Sequence, residues 1–176
     1  MVATTEATGA RSPGRASDSR KVGARRARTV AHGAMPHTAD TGVRAAAPSL
    51  AVLFEEAAIA LAEIAADVAP GVDASISHDV VVEANDLPAL AYAWLNELIA
   101  LADVHHAAVV DTDVIGVDGP ATTGAAGQWT LRARVGLRQY AAGGVRVRSQ
   151  PKSATFHGLV VRRIGAWWTL RAYLDL

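Results

Sequence analysis

Pro36-His37-Thr38-Ala39-Asp40-Thr41-Gly42, followed by the strand-like segment Val43-Arg44-Ala45-Ala46-Ala47, marks the point at which the folded part of this chain is predicted to begin. The first seven residues offer an imidazole, a carboxylate, two hydroxyls and a glycine, with almost nothing apolar to bury. Short polar segments of this composition are commonly solvated turns. Polar groups concentrated beside a predicted strand also suit the edge of a binding site, so both interpretations stay open.

Residues 1–34 form a leader of different composition. They carry seven basic residues against two acids and contain no Leu, Ile, Phe, Tyr or Trp. Because such a segment cannot bury enough apolar surface to offset the entropy of ordering, we expect it to be disordered. It lacks the apolar run of a secretory signal. It could act as a transit peptide, contact nucleic acid weakly, or precede a true start at Met35, in which case the protein is the domain 35–176.

Composition limits the classes of site. Among 176 residues there is no cysteine, which excludes disulfides, thiolate metal sites and cysteine nucleophiles. The 51% apolar content comes mostly from Ala and Val, which favours one modest core. Residues 35–118 hold fourteen acids and one base, whereas residues 119–176 hold nine bases and one acid. This asymmetry predicts an acidic face and a basic face, unless the fold interleaves the two halves.

Local patterns predict an alternation of strands and helices in the first hundred residues. A short strand over 42–47 precedes an amphipathic helix that starts after the N-cap Ser49 and is ended by Pro70-Gly71. An alternating segment over 76–84 predicts a second strand. A second helix then begins, capped by Asn85 or Asp86.

The rest of the chain is predicted to be β-structure. The candidate strands, separated by glycine-containing turns, are 106–115, 128–138, 144–149, 157–163 and 167–175. The order β-α-β-α followed by a run of strands indicates the α+β class, with two helices packed on a mainly antiparallel sheet.

Candidate site residues lie near both ends of the predicted domain. If the first and last strands meet, Asp40, Asp175 and the terminal carboxylate of Leu176 could converge. Hard divalent cations are held by such oxygen sets. His37 and His157 could be metal ligands, acid–base groups or RNA contacts, although a lone histidine is more often simply hydrogen-bonded.

The densest cationic stretch of the predicted domain is Arg146–Gly158. Its Arg and Lys side chains could offset the charge of an acidic metal cluster or bind phosphate. The chain has no phosphate-loop glycine pattern, no GxSxG sequence and no distinct Ser-His-Asp order. We therefore predict no catalytic residue.

Several short motifs, in order, carry a resemblance to a known family. They are His37–Val43, Ser49-Leu50 with Phe54–Ala58, Trp94-Leu95-Asn96-Glu97-Leu98, Lys152–Leu159, Trp168 and Tyr173–Leu176. On these landmarks the chain resembles the archease family over about residues 35–176. The leader lies outside the resemblance, which favours Met35 as the functional start.

The resemblance implies an α+β fold with a strand-helix-strand-strand core, an inserted segment and a divalent metal site. The implied ligands are Asp40, Asp175 and Leu176, and the implied cation is Ca²⁺, with Mg²⁺ or Mn²⁺ as alternatives. Lys152 matches a functionally important basic position and, with His157 and His37, would contact a partner or phosphate. This chain has Gln150 where the family usually has an acid, which would lower the charge of the site.

Archeases have no well-established catalytic activity of their own, so the resemblance implies an accessory protein that is not itself an enzyme. Its partner would be the GTP-dependent RNA ligase of tRNA splicing or RNA repair, whose guanylylation and turnover it promotes. We expect a cytoplasmic protein that reaches RNA through the ligase, without a membrane or a small-molecule substrate of its own. The alternatives are a chaperone-like modulator of proteins such as methyltransferases, a metal-dependent hydrolase, and direct RNA binding through the basic C-terminal block.

Overall fold

The computed structural model describes residues 31–34, 41–120 and 127–176. These residues form two α-helices, nine strands and one 3₁₀ turn, Tyr140–Ala142. In chain order the helices and strands are β1 Ala31–Ala34, β2 Thr41–Ala47, α1 Leu50–Ala65, β3 Ala66–Val68, β4 Ile76–Ala84, α2 Leu87–Val104, β5 Ala107–Asp118, β6 Trp129–Gln139, β7 Val145–Val147, β8 Ser153–Ile164 and β9 Trp167–Asp175.

A four-stranded antiparallel sheet in the order β1-β2-β9-β8 brings the two ends of the domain together. The last strand of the chain, β9, is one of its two inner strands: Val43 of β2 faces Ala172 of β9, and Leu174 of β9 faces Ala154 of β8. The alternating apolar residues of β2 and β9 are buried against the helices, because successive side chains of a strand point to opposite faces. The first and last predicted strands therefore do meet.

The remaining strands form a three-stranded sheet, β4-β6-β5, and a two-stranded sheet, β3-β7, both antiparallel. Helix α1 contacts β2 of the four-stranded sheet and β5 of the three-stranded sheet. Every residue from Leu53 to Ala62 is buried, as expected for a helix covered on all sides. The predicted α+β class, with two helices and antiparallel strands, is confirmed, and the strands divide into three sheets.

Helix α2 starts at a side-chain cap and is hydrogen-bonded to α1. Asp86 is its N-cap, with Oδ1 accepting from the N–H of Ala89 at 2.7 Å. In its centre, the indole Nε1 of Trp94 donates to the carbonyl oxygen of Phe54 in α1 at 3.0 Å.

By length and composition, α2 is the one helix in the described ranges that could cross a membrane. Its apolar stripe lies in the protein core instead, since Leu90, Trp94 and Leu98 are completely buried.

The first helix ends earlier than its apolar pattern predicts. The sequence predicted that it would continue to Pro70-Gly71, but α1 ends at Ala65, and β3 follows directly. The reason is a contact from far along the chain. The carbonyl oxygen of Ala65 accepts from the N–H groups of Arg148 and Ser149 at 2.8 and 3.2 Å, which satisfies the helix end without another turn.

Two strands differ most from their predicted bounds. β8 begins at Ser153, four residues before the predicted start at 157, because Ala154 already pairs with β9. β1 lies in the leader and pairs with β2, so the prediction of disorder is wrong for residues 31–34. Residues 1–30 lie outside the described part of the chain.

Candidate metal and partner site

The candidate site lies where β9 ends between β2 and β8. Asp175 faces Ser153 across the β8–β9 pair, and the main-chain oxygen of Asp175 accepts from the N–H of Lys152 at 2.8 Å. The ammonium group of Lys152 donates to the main-chain oxygen of Leu176 at 2.7 Å. The structure thus brings together three of the predicted site residues, Lys152, Asp175 and Leu176.

Asp175 is exposed and is the last residue of β9. No hydrogen bond or ion pair joins its side-chain oxygens to any residue that the structure describes. Other described acids form caps or ion pairs, as Asp86 and Asp118 do. Within the described residues, the Asp175 side-chain oxygens therefore have no donor.

Asp40 and His37, the other predicted site residues, lie outside the described residues. Asp40 is covalently joined to Thr41, the first residue of β2, and Thr41 faces Leu174 across the β2–β9 pair. The described β2–β9 pairing therefore begins at Leu174, the residue before Asp175. The assignment of Asp40 as a ligand stays a prediction.

The donor set in the described residues can be compared with the needs of a hard divalent cation. Calcium takes six to eight oxygen ligands, and magnesium takes six in a stricter geometry. The described residues contribute the Asp175 carboxylate and the Leu176 oxygen, and they contain no group of three or more His, Asp or Glu side chains that could hold a metal. The oxygen chemistry fits such a cation, but the set needs Asp40 and water to be complete.

Asn96 of α2 holds the start of β8 in place. Its Oδ1 accepts from the N–H of Ala154 at 3.0 Å, and its Nδ2 lies 3.4 Å from the oxygen of Ala154 and donates to the oxygen of Tyr92 at 2.9 Å. Because β8 is an edge strand, Ala154 would otherwise present an unpaired N–H and C=O group. Sequence reasoning missed this role, although an amide at the edge of the apolar stripe of α2 was a signal for it.

His157 lies in a bulge of β8, apart from the other site residues. Between Thr155, which faces Tyr173, and Val160, which faces Arg171, the register of β8 shifts by several residues. Gly158 allows the bulge, with a φ of 64° and only 2.8 Å between an added Cβ and the ring of Tyr173. His157 is exposed, and no described hydrogen bond or ion pair links it to Lys152 or Asp175.

The arginines that precede Lys152 in the cationic stretch contact β3 and not the candidate site. Arg146 and Arg148 both form ion pairs with Asp67 of β3, so they do not offset the charge at the candidate site. The hydrogen bond from Arg146, together with the positive charges of both arginines, lowers the pKa of the Asp67 carboxyl. Of this stretch, Lys152 is the cation that contacts the candidate site among the described residues.

The ion pairs of Asp67 can be tested by measuring the stability of the protein at different pH values. Because its pKa is lowered on folding, its charged form stabilises the protein above the unfolded pKa of about 4, and this contribution is lost as the pH falls further. We expect Asp67→Asn to have a slightly lower Tm than wild type at pH 7, with the difference vanishing between about pH 4 and pH 2. Melting followed by circular dichroism measures this, and a difference that stays constant with pH would contradict it.

A cleft of about 590 Å³ opens beside Lys152, between the ends of α1 and α2 and the segment Ser149–Lys152. Its walls are mainly aliphatic, including Leu61, Ile99 and Val109. Tyr140 also lines it, and burial together with the nearby Asp103 carboxylate raises the pKa of its phenol. The cleft places an apolar recess next to the basic side chain of the candidate site.

The fold and the site define a class: a small α+β protein with two helices and antiparallel sheets, in which Lys152, Asp175 and Leu176 cluster where β9 ends. The chain belongs to the archease protein family, whose sequence profile matches residues 33–176. The family assignment made from the sequence motifs is therefore confirmed.

Individual relatives agree with this assignment. The archease of Pyrobaculum neutrophilum is 27% identical over 157 residues, which is 80% of this chain and 91% of that protein. The archease of Pyrococcus furiosus is 27% identical over 133 residues, covering 74% and 89% of the two chains. The solution structure of protein 1598 of Methanobacterium thermoautotrophicum superposes with a TM-score of 0.64 at 26% identity, covering 82% of this chain and 98% of the other.

Proposed function

We propose that this protein is a metal-binding accessory protein that activates a GTP-dependent RNA ligase in tRNA splicing or RNA repair, in the cytoplasm. It would promote guanylylation of the ligase and its repeated turnover, without catalytic residues of its own. Membership of the archease family supports the accessory role. The observation that carries the proposal is the exposed carboxylate of Asp175, which lacks a described partner and lies beside the Lys152–Leu176 hydrogen bond.

In this proposal the two ends of the domain share the site. Asp40, Asp175 and Leu176 would hold a divalent cation, with Ca²⁺ as the first candidate and Mg²⁺ or Mn²⁺ as alternatives. Such a cation would supply positive charge for the phosphates that react during guanylylation. Lys152 fixes the position of the chain end through its bond to the Leu176 oxygen. Its remaining donors, with His157 and His37, would contact the ligase or a phosphate.

The cleft beside Lys152 supports docking to a protein partner. Its aliphatic walls would receive an apolar side chain of the ligase, and Lys152 and Asp103 at its edge would contact polar groups around that side chain. Apolar recesses rimmed by charges are the usual anatomy of such contacts. This arrangement would direct the end of β9 toward the nucleotide site of the ligase.

The proposal is tested by measuring ligase guanylylation with and without this protein at a defined metal concentration. We expect a limiting amount of this protein to raise the rate of formation of the guanylylated ligase by about tenfold or more, which corresponds to a barrier lowered by about 1.4 kcal/mol. Chelation of divalent ions followed by titration with Ca²⁺, Mg²⁺ or Mn²⁺ identifies the effective cation. Equal rates with and without the protein at every metal concentration would contradict the proposal.

A chaperone-like modulator of other proteins, such as methyltransferases, is a second candidate that the same apolar cleft favours. The two candidates differ in what Asp175 does. A modulator acting through the cleft would protect an aggregating client equally well with Asp175→Asn. A ligase activator would lose its effect with the same variant.

A further inference from the structure

The outer face of the four-stranded sheet, on the side away from the helices, carries a set of arginines. In β9 the buried residues Leu170, Ala172 and Leu174 face the helices, so Arg171 points outward. By the same alternation Arg44 of β2 points outward between Val43 and Ala45, which are buried. Arg162 of β8 lines the same outward groove as Arg44 and Arg171. We call the surface formed by these three arginines the arginine face.

The arrangement of the arginine face is unfavourable for an isolated protein. Arg44 faces Arg171 directly across the β2–β9 pair. Like charges directly opposite each other in a sheet destabilise it. In the described residues no carboxylate lies within ion-pair distance of Arg44, Arg162 or Arg171.

Several arginines elsewhere in the described structure are paired with acids. On β6, Arg132 pairs with Asp118 and Arg134 with Asp79. On β7, Arg146 pairs with Asp67. The fold therefore pairs acids with bases in the two smaller sheets, whereas Arg44, Arg162 and Arg171 have no such pairing among the described residues. Such a concentration of positive charge is the electrostatic pattern of a surface that binds anions.

The shape of this surface suits an extended chain. A groove of about 500 Å³ runs between the arginines, with small residues such as Gly33 and Ala46 in its lining. The outward row of β9 begins with Trp167 and includes Tyr173, and these two residues lie about 20 Å apart along the strand. Both rings are partly exposed, and the Arg171 guanidinium lies 5.9 Å from the centre of the Tyr173 ring. Arginines that alternate with aromatic rings along an open surface are typical of single-strand nucleic-acid binding.

We propose that the arginine face binds the phosphodiester backbone of single-stranded RNA, with bases stacked on Trp167 and Tyr173. Guanidinium groups bind phosphates through paired hydrogen bonds, which would relieve the repulsion between Arg44 and Arg171. The basic leader of the same chain is excluded as the occupant by its own charge, seven basic residues against two acids. The choice of RNA over single-stranded DNA rests on the proposed function. The arginine face is observed in the structure and does not depend on that function.

The test is binding of a fluorescent oligouridylate of about 12 nucleotides to the isolated full-length protein, measured by anisotropy at about 50 mM salt and above. The variant is Arg44→Gln with Arg162→Gln, which leaves in place the hydrogen bond from Arg171 to the Gly158 oxygen. Removing two phosphate contacts should weaken binding by about tenfold or more and reduce the slope of log K against log salt by about 1.4.

The matched control is Arg132→Gln with Arg134→Gln, which removes the same charge from the exposed side of the three-stranded sheet. We expect the control to change the affinity less than about twofold. An equal loss in both double variants, or no binding by the wild-type protein at low salt, would overturn the proposal. Tighter binding of oligothymidylate would overturn the choice of RNA, and tighter binding of polyglutamate would indicate a protein partner instead.

These outcomes are independent of the ligase. Circular dichroism of each variant shows whether loss of binding reflects loss of fold. Because RNA binding is measured without ligase or GTP, it can fail while stimulation of guanylylation is observed. Stimulation can equally fail while the oligouridylate binds, so the failure of one proposal is distinguishable from failure of the other.

Discussion

Replacing Asp175 by asparagine is expected to abolish stimulation of ligase guanylylation while leaving the fold intact. The change removes one negative charge from the end of β9 and keeps the size of the side chain. Because this carboxylate is exposed and has no described partner, the free energy of unfolding should change by less than about 0.5 kcal/mol. A cation or a partner that depends on the carboxylate should lose most of its binding. The measurements are the rate of ligase guanylylation and calcium affinity by calorimetry.

The control for this experiment is Asp118→Asn, which changes the same residue type at an exposed position of the three-stranded sheet. Stimulation should remain within about twofold of wild type, since surface ion pairs such as Asp118–Arg132 contribute little to stability. Asp40→Asn should behave like Asp175→Asn. Full stimulation by the Asp175 variant, with unchanged calcium affinity, would rule out the metal-centred mechanism.

Replacing Asn96 by alanine is expected to destabilise the protein by about 2 kcal/mol, because it leaves the N–H and C=O groups of Ala154 without their side-chain partner. Ala154 is 2% exposed, so water cannot fully replace the amide. For a chain of this size the loss corresponds to a fall in Tm of roughly 4–8 °C. Thermal melting followed by circular dichroism measures it.

The chain's other asparagine, Asn85, is the matched control, since it is exposed just before the N-cap of α2 and its side chain forms no hydrogen bond with the described residues. Asn85→Ala should change Tm by no more than about 2 °C. Hydrogen exchange separates a local role from a global one. In Asn96→Ala the amides of Lys152 and Ala154 should lose more protection than those of α1, because the start of β8 loses its clamp. Equal Tm values for the two variants would show that Asn96 does not hold β8.

The two proposals use the same strand for different purposes. Asp175 ends the outward row of β9, and Arg171 and Tyr173 precede it on the same face. A single strand of RNA on the arginine face would therefore run toward the candidate site. The bound RNA would then be placed beside the site that stimulates the ligase, without any change in the conformation of this protein.

Local sequence patterns determined much of the architecture. Strand alternation in β4 and β9, the N-caps Ser49 and Asp86, and the apolar stripe of α2 depend on residues a few positions apart, so they can be recognised without knowledge of the fold. The family landmarks are short motifs of the same kind. The pairing of Lys152 with the chain end was not visible in any such pattern.

The sequence by itself determined the α+β class, the two helices, most of the strands and the residue types of the candidate site, because each of these follows from local periodicity, capping or a short motif. Only the tertiary structure decided that β9 lies between β2 and β8, that α1 ends at Ala65, and that Asn96 clamps Ala154. It also decided which arginines pair with acids and which remain on the arginine face. These features depend on contacts between distant residues, such as Asp67 and Arg146, and the geometry of such contacts is set by the packing of whole elements.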